Sequence, residues 1–161
     1  MDEIFEGQCF CGGVRFRQYG RPMFIHCCHC KDCQRQTGSA FAINAIIEAD
    51  RIEVLKGTPV AAEMATDSGH PHDIYRCPDC GSALWSDYGR RGWMHFVRVA
   101  TLDDPSSFVP DVHIFTRSKL PWVVIPDGAN SFEEYYDMKA LWPPESWARR
   151  DAARASAKAA R

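Results

Sequence analysis

The sequence predicts a mainly β protein that consists of a single domain with short extensions. Short apolar or alternating stretches recur about every ten residues with Gly, Pro, Asp and Ser between them, which is typical of short strands joined by turns. At 161 residues, with 45% apolar and 25% charged residues, the chain can bury an ordinary globular core. We find no internal repeat at the periods of solenoid proteins, which leaves a compact β-rich domain as the prediction.

The predicted strands follow one another along most of the chain. Residues 14–18 alternate apolar and polar side chains, as a half-buried strand does. Residues 26–36 are dense in cysteine and polar residues, so we expect a loop with one helical turn there. Turns containing glycine or proline separate the other predicted strands. These cover residues 39–49, 51–55, 60–65, 74–76, 83–85, 93–100 and 113–115.

The end of the chain differs in composition from the rest. Residues 145–161 are rich in Ala and Arg, which favours a helix. This stretch has few large apolar side chains with which to pack against a core, so we expect a short helical or frayed extension. We therefore divide the chain into a domain over residues 1–140 and an extension over residues 141–161.

Charge and hydropathy limit the location and the partners. The formal net charge is −2, which gives no electrostatic reason for nucleic acid to be a main partner. No apolar run approaches the ~20 residues of a membrane span. The acidic start of the sequence lacks the basic-then-apolar order of a signal peptide. We expect a cytoplasmic protein that binds no membrane.

The eight cysteines fall in tight clusters, which indicates metal binding. Disulfides are typical of secreted chains, and cysteines this close in sequence are poorly placed to bond to each other. Close spacing is what thiolate metal sites use. The sequence therefore predicts metal ligation rather than four disulfides.

One cluster is a Cys-x-x-Cys knuckle made by Cys77 and Cys80. Two intervening residues let both sulfurs face one ion, and Gly81 permits the backbone turn behind them. A closed site needs two more ligands. Cys9 and Cys11 form a pair that cannot hold an ion alone, so we expect these four cysteines to share a structural site.

A second cluster contains Cys28, Cys30 and Cys33. Three thiolates can hold one ion and leave a coordination position open, which is the pattern of catalytic zinc sites. Soft thiolate ligands favour zinc over magnesium or calcium. A small thiol from solution would compete for the open position and become a nucleophile toward a small carbonyl compound. The alternative interpretation is that both clusters are purely structural.

Three residues next to the second cluster are not needed for either predicted metal site. Cys27 is either a small buried apolar residue or a redox partner. His26 and His29 flank the ligands and either bind zinc, relay a proton or serve the structure alone.

The motifs resemble those of a known family. Residues 7–15 (GQCFCGGVR), 28–38 (CHCKDCQRQTG) and 77–85 (CPDCGSALW) are similar to the cysteine motifs of the glutathione-dependent formaldehyde-activating enzyme family, which includes centromere protein V. The Leu-Asp-Asp-Pro run at residues 102–105 also fits. The resemblance covers about residues 5–135 and is specific because the motifs occur together in this order.

The resemblance implies an Mss4-like fold of several antiparallel sheets pinned by zinc. It also implies a zinc-dependent carbon–sulfur lyase type of activity that joins glutathione to formaldehyde, giving S-hydroxymethylglutathione, or an action on a related thiol adduct. Two zinc sites follow from it. The implied structural ligands are Cys9, Cys11, Cys77 and Cys80, and the implied catalytic ligands are Cys28, Cys30 and Cys33.

Glutathione carries two carboxylates, so basic residues should line its approach. Arg35 lies beside the reactive cluster and is the first candidate, ahead of Arg76, Arg98 and Lys119. Two alternatives remain open from the sequence. One is an enzyme acting on another small thiol or aldehyde, and the other is a non-catalytic zinc module that binds a protein or nucleic acid.

Overall fold

The computed structural model describes residues 3–160, and within them the strands form a three-stranded and a seven-stranded sheet. The mainly β prediction is confirmed. The strands are β1 (Ile4–Gln8), β2 (Arg15–Tyr19), β3 (Phe24–Cys28), β4 (Ala42–Glu48), β5 (Ile52–Lys56), β6 (Val60–Met64), β7 (His72–Arg76), β8 (Ala83–Tyr88), β9 (Met94–Arg98) and β10 (Val112–Ile114). The α-helices are α1 (Lys31–Thr37), α2 (Met138–Leu141) and α3 (Pro144–Ala159). Short 3₁₀ turns cover Ala49–Arg51, Val99–Thr101 and Thr116–Ser118.

The smaller sheet has the order β1-β2-β5 and is antiparallel. Its central strand β2 alternates buried and half-buried residues, as its sequence pattern predicts. Phe16 on this strand is fully buried and meets Trp85 of the larger sheet edge-to-face, with ring centroids 5.4 Å apart. This contact joins the two sheets through a shared core.

The larger sheet has the order β10-β3-β4-β9-β8-β7-β6. Its pairs are antiparallel except for β10, which runs parallel to β3. A parallel pair needs a long connection, and here the chain passes through most of the other strands before β10 returns beside β3. The resemblance implied antiparallel sheets. The larger sheet differs from this expectation at the single pair β10–β3.

Strand β4 separates two cores because both of its faces are buried. Ala45 and Ile47 point into the core shared with the smaller sheet, whereas Ile46 points into a second core beneath the C-terminal segment. Side chains on a strand alternate between its faces, so this one strand supplies both cores. The second core also contains Phe24 and Trp142, whose rings stack with centroids 5.4 Å apart.

Strand β3 replaces part of the loop that the sequence predicts over residues 26–36. All five of its residues are buried, so it shows no alternation of polar and apolar positions. Its cysteines pack as small apolar residues while also being candidate ligands. The predicted helical turn does form, as α1.

Helix α3 packs against the sheet, although its sequence is poor in large apolar residues. The Ser146 hydroxyl donates a hydrogen bond of 2.6 Å to the Met23 carbonyl. Arg149 donates to both carboxylate oxygens of buried Glu48, at 2.8 and 2.6 Å. Polar contacts thus hold the predicted extension in place, and the domain boundary at residue 140 stays a prediction. Among the described residues, no helix combines the length and the apolar character that crossing a membrane requires.

Candidate metal centres and cavity

Four cysteines meet where the two sheets join. Cys9 and Cys11 follow β1, and Cys77 and Cys80 lie between β7 and β8. Their sulfur atoms lie within 4.8 Å of one another. The Cys9 and Cys11 sulfurs are 3.6 Å apart, and those of Cys11 and Cys77 are 3.8 Å apart. An ion bound here would fasten the smaller sheet to the larger one.

The backbone around the knuckle is shaped for this cluster. Gly81 has a positive φ of 75°, and its amide donates a hydrogen bond of 3.0 Å to the Cys77 carbonyl, as the predicted turn requires. A side chain on Gly13 would come within 3.2 Å of the Cys11 sulfur, so glycine leaves room for the sulfurs. Hydrogen bonds from Ser82 lower the pKa of Cys80 to about 5, which favours the thiolate form.

The second cluster brings together Cys28, Cys30 and Cys33, whose sulfurs lie within 4.8 Å of one another. Cys28 ends β3, Cys30 caps the start of α1, and Cys33 lies in the first turn of that helix. Within residues 3–160, no fourth Cys, His, Asp or Glu joins this group, and the cysteines are free thiols. The protein therefore supplies three donors and leaves one side of the cluster without a protein ligand.

Local hydrogen bonds fix the three sulfurs. The Cys33 amide donates to the Cys30 sulfur at 3.3 Å, so the sulfur serves as the helix cap. The Gln34 side-chain amide donates to the carbonyls of His29 and Ser118, both at 2.9 Å. These bonds hold the backbone between the cysteines in place.

The three thiols do not ionise alike. Hydrogen bonds from Cys28 and Cys33 hold the pKa of the Cys30 thiol well below its usual range. The same contact with Cys30, together with burial, raises the pKa of the Cys28 thiol. The hydrogen bonds among the three sulfurs therefore stabilise negative charge within the cluster.

A buried arginine compensates for this charge. Arg98 on β9 lies opposite Asn44 on β4 and donates a hydrogen bond to its side-chain oxygen. It also donates to Gln36 at 3.1 Å, while its Nε atom is buried without a partner. Burial lowers the pKa of Arg98, and negative charge on Cys33 opposes that shift. The guanidinium can thus offset the negative charge of the cluster.

Both clusters fit a tetrahedral ion such as zinc. A metal–sulfur bond of about 2.3 Å places tetrahedral sulfurs about 3.8 Å apart, which matches the spacing in the four-cysteine cluster. Three thiolates around a divalent ion leave one net negative charge, and Arg98 lies close enough to affect the ionisation of the cluster. The donor sets of both clusters therefore suit a soft divalent metal.

The three-cysteine cluster faces a cavity of about 940 Å³, which is large enough for a small-molecule ligand. Cys28, Cys30 and Cys33 all line it. His72 on β7 lines it too, and both of its ring nitrogens are buried without a hydrogen-bond partner. Burial lowers the pKa of His72 to about 4, so its imidazole is neutral at pH 7. Unpartnered polar atoms in a cavity wall are available to a ligand.

The residues that were not assigned to either cluster, Cys27, His26 and His29, lie beside other side chains of the protein. Cys27 lies beside His29 and His113, since β3 and β10 place Cys27 opposite His113. The ring nitrogens of His29 and His113 approach to 3.0 Å, and burial raises the pKa of Cys27 to about 12. His26 forms a hydrogen bond of 2.7 Å with Tyr136. His29 thus belongs to a different group of side chains from the three-cysteine cluster, although in the sequence it lies between Cys28 and Cys30.

The arginines that line the cavity are mostly not those that the sequence suggested. Arg35 is exposed on α1 and is not among the lining residues, so its contact with a substrate stays a prediction. Arg76 and Lys119 are not among them either, whereas Arg98 is. Sequence reasoning missed the lining residues Arg91, Arg117, Arg150 and Arg154, because only the packing of distant segments brings them to the cysteines.

Comparison with known proteins agrees with the cysteine motifs. A model of the family described as glutathione-dependent formaldehyde-activating enzyme matches residues 4–118. A Halomonas elongata protein, to which that activity is provisionally assigned, is 31% identical over 129 residues, covering 76% of this chain and 81% of that protein. A Rhodobacter sphaeroides protein of known crystal structure is 22% identical with a TM-score of 0.47, covering 61% of this chain and 87% of the other. By the family match and the Halomonas relative, the chain belongs to the glutathione-dependent formaldehyde-activating enzyme family.

Proposed function

We propose that the protein is a zinc-dependent enzyme that joins the thiol of glutathione to formaldehyde, giving S-hydroxymethylglutathione. The observation that carries the proposal is a cluster of three thiols with one side open to a large cavity. Family membership and the name of the Halomonas relative support the substrates. A purely structural role does not require an open ligand position facing a cavity.

The two clusters have different proposed roles. Cys9, Cys11, Cys77 and Cys80 would hold a structural zinc ion that joins the sheets. Cys28, Cys30 and Cys33 would hold the catalytic zinc ion. When bound there, zinc supplies a positive charge that lowers the pKa of an incoming thiol at the open position.

The protein's own residues prepare the cavity for carbon–sulfur bond formation. The thiol sulfur attacks the carbonyl carbon, a carbon–sulfur bond forms, and the π electrons of the carbonyl move to its oxygen. That oxygen takes up a proton, and the thiol gives one up, so the reaction has no net proton change. His72 and Arg98 carry unpartnered nitrogens in or beside the cavity and can stabilise the developing negative charge.

The test is adduct formation above the spontaneous rate. Purified protein is mixed with glutathione and formaldehyde, and S-hydroxymethylglutathione is followed by nuclear magnetic resonance. The control is Cys30→Ser, which removes one of the three thiol donors and leaves the four-cysteine cluster unchanged. We expect the wild type to exceed the spontaneous rate and the variant to match it. Equal rates with and without wild-type protein would remove the enzymatic proposal.

A further inference from the structure

We propose that Arg91 and Arg154 form an anion-binding site in the cavity wall that takes a carboxylate of a peptide-like thiol. The proposal rests on the proposed function, since it deepens the binding of the thiol at the same cavity. It adds a site that draws on a part of the chain outside residues 4–118, the range that the family model matches.

The two arginines lie together although they are far apart in the sequence. Arg91 is in the loop between β8 and β9, and Arg154 is on α3. Both line the cavity that contains the three-cysteine cluster, and both also line a smaller adjoining cavity of about 250 Å³. They therefore stand at the boundary between the two cavities, where α3 passes the loop.

The guanidinium groups of Arg91 and Arg154 form no ion pair within residues 3–160, in contrast to their neighbours in the sequence. The backbone amide of Arg91 donates to Asp87 Oδ1 at 2.7 Å, which leaves its side chain available. Arg90 pairs with Asp73 and Glu63, and Arg149 pairs with Glu48. An arginine that lines a cavity without a partner keeps its donors available, whereas a paired one has already used them.

A third arginine lies next to this pair, but a carboxylate already offsets its charge, which leaves Arg91 and Arg154 as the unpaired cations. Arg150 lies one helical turn before Arg154 and lines the same cavity, so their side chains are neighbours on α3. It is held by Asp151 at 2.8 Å and lies over the Trp147 ring at 4.8 Å. Gathering like charges at one place is unfavourable unless an anion binds between them. The cluster therefore favours a negatively charged group of the ligand.

The chemistry of the guanidinium identifies that group as a planar oxyanion. Its fixed fork of donors matches a carboxylate with two parallel hydrogen bonds. Glutathione has two carboxylates at its ends and its thiol between them. A carboxylate held by Arg91 and Arg154 would position the peptide while its sulfur reaches toward Cys28, Cys30 and Cys33. Helix α3, which the sequence predicts as a short helical or frayed extension, would then take part in substrate binding.

The test measures binding without turnover. S-methylglutathione keeps both carboxylates but has no free thiol, so its affinity reports on the peptide-binding wall. Isothermal titration calorimetry compares the wild type with Arg91→Ala and Arg154→Ala. The control is Lys139→Ala, which removes one positive charge from an exposed position on α2 that lines neither cavity. Circular dichroism confirms that each variant is folded.

We expect each arginine variant to weaken binding about tenfold, the loss typical of one hydrogen bond to a charged group. Lys139→Ala should change the affinity less than twofold. The diethyl ester of S-methylglutathione should bind the wild type weakly, and Arg154→Ala should no longer distinguish ester from acid. Inorganic phosphate should compete with S-methylglutathione only at much higher concentration, and competition at equal concentration would assign the site to phosphate instead.

Two outcomes would overturn the proposal: unchanged affinity in both arginine variants, or an equal loss in Lys139→Ala. The adduct assay separates this failure from that of the proposed function. If the wild type forms the adduct while the arginine variants bind normally, the anion site is wrong and the activity stands. If binding depends on the arginines but no adduct forms, the site stands and the activity is wrong.

Discussion

Removing Arg149 should destabilise the protein because it leaves a buried carboxylate without its main partner. Glu48 is 6% exposed and accepts two hydrogen bonds from Arg149. Burial is the largest single effect and would raise the pKa of Glu48, yet the Arg149 hydrogen bonds, a backbone hydrogen bond and the charges of Arg149 and Arg51 together hold the pKa below its usual value. The pair also anchors α3, because Arg149 donates a third hydrogen bond to the Arg21 carbonyl at 2.9 Å.

The expected loss in Arg149→Ala is about 3 kcal/mol, near the lower end for breaking a buried ion pair, because Arg51 stays 3.6 Å from Glu48. An unfolding entropy of about 2.1 cal/mol/K per residue gives about 0.34 kcal/mol/K for 161 residues. The melting temperature should therefore fall by about 9 °C. Thermal unfolding followed by circular dichroism in excess zinc measures the shift.

Controls make this prediction specific. Arg154→Ala removes an exposed arginine from the same helix and should change stability by no more than about 0.5 kcal/mol. Glu48→Leu combined with Arg149→Ala should recover most of the loss, since no charge is then buried alone. The difference between wild type and Arg149→Ala should be largest at neutral pH, where Glu48 is ionised in both proteins. It should shrink as the pH falls, because burial without Arg149 raises the pKa of Glu48 and lets the variant take up a proton first. A fall in melting temperature below about 2 °C, or one matched by Arg154→Ala, would refute the reasoning.

Two further predictions concern the clusters and the cavity. Cys80→Ser should lose the ion proposed to join the sheets, and with it cooperative unfolding, whereas Cys30→Ser should stay folded. Thermal unfolding of both variants with and without a chelator measures the difference. Equal stability of the two variants would contradict the prediction. His72→Leu should keep or raise stability at pH 7, because it replaces two buried unpartnered nitrogens, yet slow adduct formation. Because burial lowers the pKa of His72 to about 4, the wild type should also lose stability relative to His72→Leu as the pH falls from about 6.5 to 4, which a pH series of melting curves would show.

The cysteine clusters were predictable from the sequence because their ligands are paired at short range. Knuckle spacing alone predicts that the sulfurs of Cys77 and Cys80 face one point, and the need for a distant second pair selects Cys9 and Cys11, whose sulfurs the structure brings within 4.8 Å of them. The helical turn through Cys33 was also predictable. What local spacing could not give is the orientation of Arg35, which lies two residues after Cys33 and so points to a different face of α1.

The rest of the site depends on packing between distant segments. Arg91 and Arg154 meet only because α3 folds back over the β8–β9 loop, and no short-range pattern signals this. The docking of α3 through Arg149 and Glu48 was missed for the same reason. Strand β3 was missed because both of its faces are buried, which removes the alternation by which exposed strands are recognised.

The most direct test of the account is a count of zinc ions per chain in the wild type and in Cys30→Ser. Elemental analysis of protein purified in the presence of zinc gives both values. Sorting the cysteines into a closed group of four and an open group of three predicts two ions in the wild type and one in the folded variant. One ion in the wild type, or two in Cys30→Ser, would contradict the open site at Cys28, Cys30 and Cys33.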